Sequence, residues 1–401
     1  LRVIVTGLVG LHPVGGVAWD YLQYLLGFAR LGHDVYYHED TWSWPYHPLE
    51  KSHTADPGYS ARYIGEFFRR YAPELGQRWH YFHLHESSHG MSRAAFDRVA
   101  RSADLFVNVS GASLLPESLA PGCIKIFLDT DPGYNQIVLS EKPAWSENVE
   151  RWCALVADHD VHFTYAENID GDDCQVPKAG YRWVTTRMPV VTELWERIAR
   201  PPPPSGAPWT TIMTWNAFKG PLLYRGREYK SKGAEFKKFL SLPGRVDSPM
   251  KVAVGGKKAP FEQLHRHGWQ VQDGPTATLT PQSYQALIGG SRGEFSTAKH
   301  VYVATRSGWF SCRSACYLAA GRPVVVQDTG FSGFIPTGEG ILPFTNLSEA
   351  AEAVREAEGN FERHSKSARD VAAAEFAAEK VLERMLVDAT KASAETPRAI
   401  G

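Results

Sequence analysis

The chain contains no run of 18 apolar residues, so it encodes no membrane-spanning helix. It also shows no charged leader before an apolar stretch, because Val3-Ile4-Val5 begins an apolar strand almost at once. No secretory signal is read, and a cytoplasmic location is the expectation. Cysteine is sparse: Cys123, Cys153, Cys174, Cys312 and Cys316 are five of 401 residues. The number is odd and no C-x-x-C pair occurs, which points to reduced thiols rather than a disulfide framework or a zinc finger. Cys312 and Cys316 share one face of a predicted helix, where they act as small hydrophobes. Neither sign of charge dominates, and the net charge is −1. That balance argues against nucleic acid or an anionic membrane as the main partner. The dinucleotide fingerprint G-x-G-x-x-G is missing, since Gly7, Gly10, Gly15 and Gly16 have the wrong spacing. No cofactor is expected.

With 43% apolar and 22% charged residues, the chain can build ordinary cores, and its length suits two domains. Four consecutive prolines, Pro201–Pro204, can neither continue a helix nor pair in a sheet. They divide two alternations of strand and helix. The expected units are 1–199, a proline-rich linker at 200–208, a second unit at 209–375, and a terminal helix and tail at 376–401, the helix packing back on the first unit. In the first unit Val3–Val5 leads into a glycine loop, then a helix with apolar residues at Val17, Tyr21, Tyr24, Leu25 and Phe28, then the strand Asp34–Tyr37. This is the start of a doubly wound parallel sheet. Further strands are predicted at 105–109, 124–128, 161–165 and 183–186, and helices at 61–71, 92–101 and 147–157. The second unit repeats the scheme, with strands at 211–215, 251–254, 269–272, 300–304 and 323–327. Helices are predicted there at 234–240, 261–267, 282–288 and 311–320, followed by terminal helices at 348–356 and 371–387.

Ligands of doubly wound sheets bind at the carboxyl ends of the strands. Four segments fall there. Gly226-Arg227-Glu228-Tyr229-Lys230-Ser231-Lys232-Gly233 follows the second unit's first strand and precedes a helix. Cations, a glycine turn and helix N–H groups there suit a diphosphate. Arg225 and Lys230 are adjacent alternatives to Arg227 and Lys232. A second segment, Arg306–Ser314, places Gly308 ahead of a helix capped by Ser311 and ends at Gly321-Arg322-Pro323. The third is the loop His12–Gly16, whose glycines also suit a plain tight turn. His12 titrates near neutral pH and can serve as a general base. The fourth is Asp129-Thr130-Asp131, literally a D-x-D, where either carboxylate can meet an acceptor, act as a base or cap the next turn. No metal is expected. The His-rich stretch His80–His89 reads foremost as surface or loop histidines without a role; the alternatives are His85, Glu86 and His89 lining the acceptor side and, as a minor one, zinc.

The segment G-R-x4-K-G at 226–233, A-x-G-x-P-V at Ala319–Val324, and Gly32-His33-Asp34-Val35 together resemble the glycosyltransferases of the GT-B fold. The resemblance is strongest from Trp209 to Phe344. It implies two facing Rossmann-like domains, an acceptor-binding one first and a donor-binding one second. It further implies transfer of a sugar from a nucleotide-diphosphate sugar to a hydroxyl without metal. Arg227, Lys232, Gly308, Ser311, Gly15 and Gly16 would hold the diphosphate, and Asp328, Thr329 and Gly330 the sugar. His12 or Asp131 would be the base. Trp42, Trp44, His85 and Asp129 would face the acceptor, a small molecule such as a natural product or saccharide. The chain departs from many retaining members at Gly308 and Cys316, where those carry two glutamates. An epimerase or phosphorylase on the same architecture, or a silent sugar-nucleotide-binding or activator protein, stays open.

Overall fold

The computed structural model describes residues 1–144, 148–218, 220–256 and 258–395. Two parallel sheets form its two halves. In the first, Arg2–Thr6 lies between Asp34–Thr41 and Leu105–Val109. Trp79–His83 extends one side, and Ile124–Asp129, Val161–Thr164 and Trp183–Thr185 extend the other. All run parallel, and only Ser87–Gly90 pairs antiparallel, on the edge at Trp79–His83. Val3, Ile4 and Val5 are fully buried, as expected of a central parallel strand covered on both faces. In the second sheet, Trp209–Thr214 lies between Met250–Gly255 and Gly293–Ser296, flanked by Gln270–Asp273 on one side and by Val324–Gln327 and Ile341–Phe344 on the other. Each sheet reverses its winding beside its first strand, and the two halves are the expected pair of Rossmann-like domains.

The helix Gly15–Arg30 is apolar around most of its circumference: Ala18, Trp19, Leu22, Leu25, Leu26 and Phe28 are all buried. Such a helix has neighbours on every side. Its own sheet covers one face and the second half another. The helix Ala378–Glu395 covers a third, with Ala378 and Leu382 against Gly27. The terminal helix does pack back on the first domain, anchored by Arg30 to Glu379 at 3.1 Å and by Ala378 N–H to the Val190 carbonyl.

Two predicted elements differ. Residues 300–304 form a short helix, His300–Ala304, and the sheet strand is Gly293–Ser296. A strand carrying Glu294 does not look like a core strand in sequence. It is one here because Arg313 neutralises the buried carboxylate. The terminal helix predicted at 371–387 breaks. Helix Phe361–Val371 ends in a wide turn at Ala372–Phe376 before Ala378–Glu395 begins. The strand-like bridge from Val190 to Ala377 takes the backbone groups there, an insertion from distant sequence. Of the helix expected at 147–157, Asn148–Ala157 is seen, and Glu147 lies outside the described residues. Residues 396–401 of the expected tail lie outside them as well.

Candidate functional site

The carboxyl end of Gly293–Ser296, at the winding reversal of the second sheet, gathers positive charge. Lys232, at the start of helix Lys232–Phe236, donates from Nζ to Ser296 Oγ at 3.2 Å. Arg313, in the first turn of helix Cys312–Ala319, reaches the same hydroxyl at 2.7 Å and Glu294 at 2.6 Å. Lys232 is buried, and its ammonium is held well below its ordinary pKa. Burial is the main cause. Arg313 and Lys299 add repulsion, and Glu294 opposes them. Two cations thus share one hydroxyl against one carboxylate, which favours an incoming anion.

Opposite this cluster stands the helix Gly15–Arg30. Its Asp20 faces Arg313 across the domain boundary and opens on a cavity of about 150 Å³. Tyr21, Tyr24, Ser110, Thr130, Tyr165 and Cys312 also line it. Asp20 is exposed to solvent, yet the protein crowded around it from both domains raises its pKa to about 7, with Arg313 pulling it down. Nothing in the residues around Asp20 marks it in sequence. Its neighbour Arg313 lies almost 300 positions away, and only folding brings the two together.

The predicted site residues are placed as follows. Lys232 lies in the cleft. Arg227 does not: it is exposed on the hairpin Leu222–Tyr224/Arg227–Tyr229, stacked on the Tyr229 ring at 5.3 Å. The glycine of the motif makes the hairpin turn, with Arg225 and Gly226 both at positive φ, rather than a phosphate loop. Arg313 occupies the place expected of Arg227. Gly15 and Gly16 lie against the second domain. Gly15 N–H donates to the Thr278 carbonyl at 2.8 Å, and a Cβ at Gly15 would run into the Thr280 carbonyl. Gly16 packs on the Tyr284 ring. Gly15→Ala is therefore expected to destabilise the protein by about 1–3 kcal/mol, the usual cost of overpacking, and to enlarge the radius of gyration in small-angle scattering. Gly308 has φ +79, donates to the Thr329 carbonyl and sits against Asn168 of the first domain, so its N–H is already used. Ser311 is buried at the N-cap of Cys312–Ala319 without capping that helix. Thr329 Oγ1 donates to the Trp309 carbonyl, and Asp328 accepts from Gly330 N–H and Ser332, closing a loop at the end of Val324–Gln327.

Asp131 forms an interdomain clamp with Lys299 and Tyr302, which engage both oxygens of its carboxylate. Asp129 is fully buried and accepts from Asn135, Gln136, Thr164 and the Asp131 N–H, which makes it an organiser of its own loop and not an acceptor contact. His12 is half-buried in the turn Leu8–Val14 and is not among the residues lining the Asp20 cavity. That loop is held by Glu39, a residue sequence reasoning missed. Its carboxylate accepts from Gly10 N–H at 2.7 Å, Leu11 N–H at 2.6 Å and Tyr37 OH at 2.6 Å, and burial raises its pKa to about 7. Glu39→Gln turns one acceptor oxygen into an NH₂ facing an N–H group. A loss of about 3 kcal/mol in chemical denaturation is expected.

Among the aromatic residues from Trp42 to Tyr81, Trp79 and Tyr81 are core residues, while Trp42 and Trp44 are exposed. They precede the small hairpin Tyr46–His47/Ser52–His53, whose turn reaches the second domain, where Lys51 pairs with Asp273 at 3.5 Å. His85 pairs with Asp40 at 3.0 Å. His85-Glu86-Ser87-Ser88-His89 also spells H-E-x-x-H, the pattern of a zinc helix. Here it is a turn and an edge strand, with His85 at positive φ, so the two imidazoles do not share a helix face. Among the described residues no group of three or more His, Cys, Asp or Glu is placed to hold a metal.

No family model and no curated protein matches the sequence. Solved structures do. An alpha-glucosyltransferase in complex with UDP and a 13-mer DNA matches 97% of this chain and 99% of its own, with a TM-score of 0.58 and 11% identity. HepE of Anabaena, in complex with UDP-glucose, matches over the same shares with a TM-score of 0.54 and 11% identity. AviGT4, a glycosyltransferase involved in avilamycin A biosynthesis, matches over 99% of both chains with a TM-score of 0.51 and 14% identity. The fold is GT-B. In GT-B terms, the cleft between Asp20 and Arg313 is the groove between the two facing domains, and Lys232 and Arg313 stand on its second-domain wall.

Proposed function

We propose that this chain is a glycosyltransferase that moves a hexosyl group from a nucleotide-diphosphate sugar to a hydroxyl of a small-molecule acceptor. The observation that carries the reading is the convergence of Lys232 and Arg313 on Ser296 at the winding reversal of the second sheet, facing Asp20 across the cleft. The leaving diphosphate takes the electron pair of the broken sugar–oxygen bond and so gains one negative charge, and fixed cations in a cleft stabilise that charge as it develops. Lys232 and Arg313 supply that charge without a metal. Asp20 accepts the proton of the attacking hydroxyl: the acceptor oxygen bonds to the sugar carbon as the bond to phosphate breaks, and the diphosphate departs toward the cations. Trp42 and Trp44, exposed just ahead of the hairpin Tyr46–His47/Ser52–His53, offer stacking faces to an acceptor ring. The neighbours' names support the donor class, since two are complexes with UDP or UDP-glucose, and AviGT4 supports a natural-product acceptor. All five cysteines are unpaired, which suits a reducing, cytoplasmic setting.

The experiment is thermal unfolding with UDP, dTDP, GDP or ADP, with and without EDTA. One diphosphate should raise the midpoint, by about 2.7 kcal/mol of stabilisation at a hundredfold excess over its Kd, with no effect of EDTA. Transfer of labelled sugar from that donor to an acceptor library then separates a transferase from an epimerase, which would convert the donor alone. If none of the four diphosphates shifts the midpoint, the reading is wrong.

A further inference from the structure

The helix Gly58–Tyr71 of the first domain is amphipathic. Ile64, Phe67 and Phe68 are buried, while Arg62, Glu66, Arg69 and Arg70 are exposed. Its outer face lines a groove of about 600 Å³, whose other wall is Thr280, Pro281 and Gln282 of the second domain. Two contacts fix that wall. Tyr63 OH donates to the Leu279 carbonyl at 3.4 Å, and the Trp19 indole donates to the Pro281 carbonyl at 2.9 Å. No residue of this groove lines the Asp20 cavity, so the two are separate.

The groove has three cations, Arg62, Arg69 and Arg70, and one carboxylate, Glu66. Among the described residues no ion pair engages Arg62 or Arg69. Arg70 faces a neutral group, the Gln282 amide, 2.8 Å from its Nε. Asp56, near Arg62, accepts from the Gly58 N–H at 2.8 Å. Arg62, Glu66 and Arg69 also line an adjoining hollow of about 430 Å³, so the charges stand on a track longer than one pocket. Their sign alternates along the helix, and Arg62 and Arg69 are about 10 Å apart along its axis. With Glu66 between them, they suit monovalent anions spaced along a chain better than one dianion. The intervening unit must offer Glu66 a hydroxyl, because a carboxylate only accepts. The half-buried rings of Tyr59 and Tyr63 lie near-parallel beside this track, 6.3 Å between centroids. We propose that this groove binds an acidic saccharide in which uronate and neutral rings alternate. Arg62 and Arg69 take the carboxylates as guanidinium forks, Glu66 accepts from the neutral ring, and the tyrosines cover apolar sugar faces. A continuous phosphate backbone would meet Glu66, and the chain's net charge of −1 gives it no field to draw one in. The site does not depend on the proposed reaction.

Titration calorimetry at fixed ionic strength tests it, with no donor present. The probe is a tetrasaccharide alternating glucuronate and N-acetylglucosamine. Saturable binding is expected, with the neutral N-acetylglucosamine tetramer weaker by roughly tenfold or more. Arg62→Ala and Arg69→Ala should each weaken the acidic probe by roughly tenfold. Both side chains are exposed, so the unfolding midpoint should stay in place. The Lys232→Met protein should bind the probe as the parent does, because Lys232 belongs to the cleft. Absence of binding would overturn the proposal, and so would equal affinity in the Arg62→Ala/Arg69→Ala double variant. Loss of binding in Lys232→Met would move the saccharide to the cleft and overturn it too. A thymidine trinucleotide carries the same two charges. If it bound as tightly, the groove would be a nucleic-acid or general anion site rather than a saccharide site.

Discussion

Asp20→Asn should lower kcat by roughly 10²–10⁴-fold, the range for loss of a positioned general base, while leaving donor affinity within about twofold. The substitution keeps the shape of the side chain and removes only its ability to take a proton. The pH dependence gives the same answer independently. Asp20 must be ionised to act, and its pKa is raised to about 7 by its walled position, so kcat should climb through pH 7 and level off above it. In the Asn protein that limb should vanish. Stability moves the other way. A carboxyl whose folded pKa lies above its unfolded value of 3.8 favours the folded state while protonated. That contribution is complete below the unfolded pKa and is lost as pH rises through about 7. Asp20→Asn should therefore melt higher than the parent at pH 8, and the difference should close toward pH 4. Unchanged turnover in the Asn protein would remove Asp20 from the chemistry, even if the donor still bound.

Lys232→Met is expected to cost roughly 10²–10³-fold in kcat/KM, the scale seen when one donor to a developing anion is removed from a preorganised site. Its stability should rise. The Lys232 ammonium is buried and repelled by Arg313 and Lys299, so its folded pKa lies below the unfolded one. The charged form is therefore penalised in the fold at neutral pH, and the penalty disappears only above the unfolded pKa. Methionine fills the same volume with no charge to bury. A protein that melts higher and turns over far more slowly would mark Lys232 as a residue kept for the site. A protein that melts lower with normal kinetics would make it a packing residue. Arg313→Ala is a poorer probe, because it strands the fully buried Glu294 carboxylate.

Much of the architecture was legible in the residues. Val3–Val5 and 211–215 read as the first strands of the two units because each opens an alternation of strand and helix, and four consecutive prolines can neither continue a helix nor pair in a sheet. The broken terminal helix and the strand Gly293–Ser296 were not legible. Each depends on a partner far away: Val190 entering at Ala377, and Arg313 neutralising Glu294. Local sequence carries no trace of such pairings.

The site divides in the same way. Sequence by itself determined the two Rossmann-like units, the strand ends where a ligand could sit, and Lys232 as a cation at one of them, because these follow from local periodicity and from the position of a residue along its own element. Only the tertiary structure decided which cations meet. It put Arg227 on an exposed hairpin and brought Arg313 beside Lys232 in its place. It used Asp131 to clamp the domains and Gly15 to let their backbones touch. It also set Asp20 against Arg313 across the cleft. Charge and burial at a point in space are sums over all the elements that converge there, and no single stretch of chain contains that sum.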